Sequence, residues 1–202
     1  MKRYVIFGTH TGVGKTVVAA ILTETLGGYY WKPVQCGLPT DRNWVNRTLS
    51  LKDRCYAESF CLHGPYSPHL AAQMEGIQIA AKDLILPLCP GPLIIEGTGG
   101  LLSPLNDVES WVDAGATWEA DWILVHRPYL GSLNHFLLTV EALQHRKLPL
   151  LGVVFNGEGE AHTEKMLLKR ASTRCLGRVA WQTALTPAVI QKMGREWKKN
   201  FS

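Results

Sequence analysis

The sequence predicts an α/β protein, a three-layer α/β/α domain around a mostly parallel central sheet. Three observations predict it. Short, continuously apolar runs recur along the chain, separated by helix-length segments, as in strands buried on both faces. A glycine-rich turn follows the first run and leads into an apolar-patterned helix. The chain has 202 residues, room for one domain whose core takes roughly 70% of the unfolded surface out of water. Residues 1–202 are therefore expected to form a single domain.

In chain order, 4–7 (YVIF) reads as the first strand, ended by Gly8, and 15–26 (KTVVAAILTETL) as an amphipathic helix stopped at Gly27-Gly28. Further strands are expected at 29–34, 92–95, 122–125 and 150–155, with a short sixth at 179–181. Helices are expected near 79–86, 108–118, 133–145, 160–172 and 187–197. The last has good start chemistry, with Thr186 to cap it and Pro187 at the first helical position. Gly194 weakens the case for its far end. In open parallel sheets ligands bind beyond the carboxyl ends of the strands, so the residues after each strand carry the chemistry.

Composition narrows the function. With 46% hydrophobic and 19% charged residues, the chain is not of the disordered kind. No apolar run approaches the ~18 residues of a membrane span, so no membrane partner is expected. Met1-Lys2-Arg3 is basic, but only Tyr4-Val5-Ile6-Phe7 precede Gly8, too few for a secretory signal. A cytoplasmic location is expected. The net charge of +4 is mild, and the one basic cluster (Arg195, Lys198, Lys199) suits a solvated helix end, so no nucleic acid is expected. Cys36, Cys55, Cys61, Cys89 and Cys175 are scattered and odd in number, which does not suit a disulfide framework. Cys55, Cys61 and His63 lack the CxxC pair of a zinc site.

After the first strand comes Gly8-Thr9-His10-Thr11-Gly12-Val13-Gly14-Lys15-Thr16. The strict phosphate-loop pattern needs glycine at position 9; here Gly8 lies one position earlier. The working parts are present. Gly12-Val13-Gly14 can wrap backbone N–H groups around an anion, Lys15 can reach the β- and γ-phosphates, and the Thr16 hydroxyl can hold Mg²⁺. An ordinary glycine-rich turn is the alternative, and GVGKT between strand and helix is far more specific than that.

Lys32, at the end of the second strand, could bind an anionic second substrate or snorkel at the surface. Glu96, at the tip of the third, suits a Mg²⁺ ligand or a cap on its own loop amides. After the fourth, the helix start at 131–135 could bind a carboxylate through free amides, or simply be capped by Ser132. Asn156, at the end of the fifth, could read a purine edge or make a turn with Gly157.

Together these segments resemble the dethiobiotin synthetases, ATP-dependent enzymes of biotin synthesis, over nearly the whole chain and in order. GTHTGVGKT is similar to that family's phosphate loop, with the same extra spacing. KPVQCG at 32–37 resembles its KPV-x-[ST]-G, and PYSPHLAA at 65–72 its SPH-type loop. EGTGG at 96–100 resembles EGAGG, LGSLNH at 130–135 resembles LG-x-x-NH, and Asn156 falls at the base-recognising Asn. The resemblance implies a P-loop fold and a reaction. CO₂ adds to one amine of 7,8-diaminopelargonic acid, ATP phosphorylates the carbamate, and the second amine closes a cyclic urea, leaving ADP and phosphate. It further implies that Lys15 binds the transferring phosphate and carbamate. Lys32 would hold carbamate and amine beside Thr11, Thr16 and Glu96 would bind Mg²⁺, and Asn156 would read adenine. It implies a homodimer in which Gly131, Ser132, Leu133 and Asn134 reach the substrate carboxylate of the other subunit.

This chain departs from the family pattern in places. Cys36 stands at a substrate-binding position usually held by Ser or Thr. The family's Asp metal ligand falls by spacing on Asn43, with Asp41 two residues earlier, and charge favours Asp41. Arg178-Val179-Ala180-Trp181 lacks the proline that precedes the tryptophan in the family, and His10 reads as peripheral. Two other readings remain open. A partition-type ATPase usually has lysine where this chain has His10. A relative with another substrate, or with none, is suggested by Cys36 and Asn43.

Overall fold

Tyr4, Val5, Ile6 and Phe7 are all buried, which is why the first run lacks alternation: both of its faces are covered. In the computed structural model, which describes residues 1–201, this run is the inner part of β1 (Arg3–Gly8). The chain continues through α1 (Lys15–Leu26), β2 (Tyr29–Trp31), β3 (Val34–Cys36), α2 (Asp41–Thr48), β4 (Phe60–Leu62) and α3 (Pro68–Met74). Then come β5 (Leu93–Glu96), α4 (Trp111–Gly115), β6 (Asp121–His126), α5 (Ser132–His145), β7 (Leu150–Asn156), α6 (Ala161–Arg170), β8 (Cys175–Val179) and α7 (Pro187–Trp197). Six strands form one parallel sheet in the order β2-β5-β1-β6-β7-β8.

Two cores flank the sheet. Val5 and Phe7 pack with Trp111, Trp122, Phe136 and Leu167 from the α4, α5 and α6 side. Tyr4 and Ile6 pack with Val18, Ile21, Val45 and Ile190 from the α1, α2 and α7 side. The three layers expected are present. Residues Val18 to Thr23 are buried without a break, so the middle of α1 is covered on every side rather than amphipathic. It packs on the sheet beside α7, and a Cβ at Gly194 would sit 2.7 Å from Thr25 Oγ1. Glycine there permits the close approach, and α7 runs on to Trp197 with Thr186 and Pro187 at its start as expected.

Several expectations fail for identifiable reasons. The strand expected at 29–34 breaks after Trp31. Pro33 has no N–H to give to a ladder, and its carbonyl instead accepts from Ser59 and Phe60 at 2.8 and 3.0 Å. Val34 therefore opens β3, which pairs with β4 in a separate two-stranded sheet. The helix expected at 79–86 is a single 3-10 turn, Ala81–Asp83. That expected at 108–118 shrinks to α4, whose last residue, Gly115, packs against the Trp122 ring. The sixth strand is β8, not 179–181, and Trp181 is 75% exposed. α2, β4 and α3 were not anticipated. Among the described residues, no helix is long and apolar enough to cross a membrane.

Candidate active site

The loop between β1 and α1 closes through Gly14, which precedes the helix at φ 97° and ψ 25°, a left-handed conformation that favours glycine. A Cβ at Gly14 would also collide with the side-chain amide of Asn156. That amide donates to the Val13 carbonyl at 2.8 Å, so the end of β7 props the loop from behind. Lys15 is 6% exposed, and its Nζ donates to the His10 carbonyl at 3.1 Å. Burial pushes its pKa down to about 8, helped by Lys32 and opposed by Glu96 and Asp41.

Strand register brings the other charges here. Tyr29, Tyr30 and Trp31 pair with Leu93, Ile94 and Ile95; one step further, Lys32 comes level with Glu96. Lys32 Nζ donates to Glu96 Oε1 at 3.2 Å and forms an ion pair with Asp41 in the first turn of α2. Burial alone would lower the Lys32 pKa, but the two carboxylates outweigh it and hold the pKa above the usual lysine value. Glu96 is 1% exposed. Its Oε1 also accepts from Thr16 Oγ1 at 2.8 Å, and its Oε2 accepts from the Tyr30 hydroxyl at 2.8 Å. The Asp41 N–H donates to Gln35 Oε1 at 3.2 Å, tying α2 to β3.

These groups face one cleft of about 560 Å³ at the carboxyl ends of the strands. It brings together Thr11, Gly12, Gly14, Lys15, Thr16, Lys32, Cys36, Asp41 and Glu96. Val13 is buried behind the loop, and Asn156 reaches the loop rather than the cleft wall. Asn43 is exposed and outside the cleft; its backbone N–H takes the Thr40 cap at 3.3 Å. Cys36 is half-buried, and burial pushes its thiol up to about 11, which keeps it a protonated, weak donor.

Gly131, Ser132, Leu133 and Asn134 lie at the start of α5, outside this cleft. Gly131 forms the N-cap at φ 92°, and Ser132 makes no capping bond, so simple capping by Ser132 is not its role. His10 stays outside the cleft with its ring edge-on to Tyr129, centroids 4.6 Å apart. Arg178 donates to the Gly157 carbonyl at 2.7 Å and pairs with Glu164.

Residue reading missed Tyr30, Gln35 and Ser103, the last of which lines the cleft, and gave Ser67, also on the cleft wall, no role of its own. Tyr30 was findable, because residues two apart in a strand share a face and Lys32 already pointed to the site. Gln35 and Ser103 carried no such signal. Thr16, Asp41 and Glu96 offer oxygen donors alone, the set Mg²⁺ prefers. Among the described residues no group of three or more His, Cys, Asp or Glu could hold a metal unaided.

A family model described as an AAA domain matches residues 2–189. The ATP-dependent dethiobiotin synthetase of Rhodopseudomonas palustris (strain BisB5) is 45% identical over 190 residues, 93% of this chain and 90% of that protein. The enzyme of the same name from Agrobacterium fabrum is 44% identical over 193 residues, 94% of this chain and 91% of that protein. Among solved structures, a ParA family ATPase from Chlorobium tepidum superposes with TM-score 0.60 at 15% identity, covering 98% of this chain and 99% of that one. The MinC:MinD cell division complex of Aquifex aeolicus gives TM-score 0.57 at 12% identity, over 100% of this chain and 96% of that one. At such identities the two structures speak for the fold alone.

Proposed function

This chain belongs to the ATP-dependent dethiobiotin synthetases and forms dethiobiotin with ATP, and we propose that it does so in the cleft between the phosphate loop, Lys32 and Glu96. One observation carries the proposal: Lys15, Lys32, Thr16 and Glu96 converge on a single cleft at the strand ends. The whole chain acts as one catalytic domain.

The substrates are 7,8-diaminopelargonic acid, CO₂ and ATP. One amine attacks CO₂ and loses a proton, leaving a carbamate. Lys32, whose pKa the two carboxylates hold up, stays an ammonium and binds that anion, with Thr11 beside it. A carbamate oxygen then attacks the γ-phosphorus, and ADP leaves. Lys15 follows the charge on the transferring group. Its pKa of about 8 without ligand rises when phosphate anions surround it, so it is charged when needed. The second amine attacks the carbonyl of the mixed anhydride and loses a proton, phosphate leaves with the C–O bond electrons, and the cyclic urea closes. The chain supplies no covalent nucleophile; it positions reactants and stabilises charge.

Thr16, Glu96 and Asp41 would hold Mg²⁺, which supplies positive charge to the phosphate oxygens. The backbone of Gly12, Val13 and Gly14 wraps the phosphates. Asn156 reads adenine with the amide oxygen that its bond to Val13 leaves free. Cys36 contacts the substrate. Gly131, Ser132, Leu133 and Asn134 bind the carboxylate tail in the partner subunit of a homodimer. Exposed Leu130, Leu133 and Leu138 around that turn support such an interface. The five cysteines are free, which suits the reducing cytoplasm.

The test is incubation with diaminopelargonate, bicarbonate and MgATP, following phosphate release and the mass of the product. Phosphate release that does not depend on diaminopelargonate would overturn the proposal.

A further inference from the structure

We propose that Tyr30 is a positioning residue that fixes which oxygen of the Glu96 carboxylate faces the metal and phosphates. This rests on Glu96 being a metal ligand. Tyr30 is fully buried and sits diagonally across the sheet from Glu96, since it pairs with Ile94. Its backbone is pinned on its outer side. The N–H donates to Arg54 O at 2.7 Å, and the carbonyl accepts from Tyr56 N at 2.9 Å. The ring is thus anchored independently of the cleft.

The two carboxylate oxygens are divided by this arrangement. Oε1 faces Thr16 and Lys32, the groups at the phosphate end. Oε2 takes the phenol, and no other donor reaches it among the described residues. A buried oxygen stripped of its donor is unfavourable. The carboxylate would relieve that by turning Oε2 toward Lys32 or Thr16 and withdrawing Oε1. Mg²⁺ demands near-octahedral geometry and would feel such a turn. A phenol suits the role because a neutral donor can hold the carboxylate without competing for the cation.

The experiment is titration of the full chain with ADP, by calorimetry, in Mg²⁺ and in EDTA. The quantity read is the ratio of the two affinities. Tyr30→Phe is expected to shrink that ratio by about tenfold, the usual effect of losing an outer-shell partner, while the EDTA affinity holds. In a Glu96→Gln background, Tyr30→Phe should change the ratio no further. An unchanged ratio in Tyr30→Phe, with a reduced one in Glu96→Gln, overturns the positioning role alone. An unchanged ratio in Glu96→Gln removes the metal assignment and the proposal with it. Should Tyr30→Phe fail to fold, adding Glu96→Gln removes the buried charge and should restore folding. A double variant no more stable than the single one overturns the pairing.

Discussion

Replacing Lys32 by methionine removes the cation between Glu96 and Asp41 and keeps most of the side-chain volume. Taking one partner from a buried ion pair costs about 3–5 kcal/mol when the other charge stays buried. The lower figure applies here. Glu96 keeps Thr16 and Tyr30 as donors, and the Asp41 side chain is 33% exposed and can turn to water. A loss of about 3 kcal/mol lowers the melting midpoint by roughly 6–12 °C in a chain of this size. Mg²⁺ should recover part of that loss, because two carboxylates without their ammonium attract a divalent cation. The wild type, already neutralised by Lys32, should respond less. The assay is a thermal melt of both proteins in EDTA and in Mg²⁺, alongside substrate-dependent phosphate release, which Lys32→Met should abolish. If the variant melts within about 2 °C of the wild type and gains no more from Mg²⁺, the ion-pair reasoning is wrong.

Three further outcomes are expected. Asp41→Ala should stop phosphate release, while Asn43→Ala leaves it within about twofold, as for an exposed surface change; the reverse pattern would move the metal position to Asn43. Cys36→Ser should lower the KM for diaminopelargonate by about 2–10-fold, the worth of one better hydrogen bond, with kcat unchanged; an equal or higher KM would mean the substrate avoids this side chain. His126 is buried between Phe136 and Phe155, and burial, against the pull of Glu164, lowers its pKa from 6.5 to about 4. The fold prefers the neutral ring, so this contribution is complete above pH 6.5 and is lost as pH falls toward 4, about 3 kcal/mol in all. Urea midpoints across that window should flatten in His126→Leu; an undiminished acid loss in the variant would place the sensitivity elsewhere.

What was legible in the sequence was local chemistry with a fixed period. β1, the glycine loop and α1 are contiguous, and their glycines carry the geometry, so the sequence alone could place Lys15 and Thr16 together at the loop. Glu96 was legible because a carboxylate at the tip of an apolar strand stands out from its surroundings. The secondary structure of the segment between 38 and 74 was not legible. α2 (DRNWVNRT) is largely polar and buries Val45 and Thr48 alone, so it lacks the apolar stripe that announces a helix. β4 has three residues and exists only because β3 pairs with it. Asn156 had two open readings, and its bond to Val13 adds a third: it holds the phosphate loop whichever base it meets.

The break at Pro33 connects the fold to the site. Had 29–34 continued as one strand, the chain would have stayed on the sheet edge beside β5, leaving the phosphate loop open on that side. The ladder ends at Trp31, with proline one residue beyond Lys32. The lysine stays level with Glu96, while Val34 and the residues after it turn into the second sheet. That detour carries Cys36 to the cleft wall and brings α2 back with Asp41 against Lys32. A strand edge thereby becomes one wall of the cleft. The same step explains why Lys32 can be both buried and charged: the carboxylate on its sheet side is already in place in β5, and the one on its open side arrives with α2. Slipping β2 against β5 by one residue would reverse which way position 32 faces and separate the cation from both carboxylates.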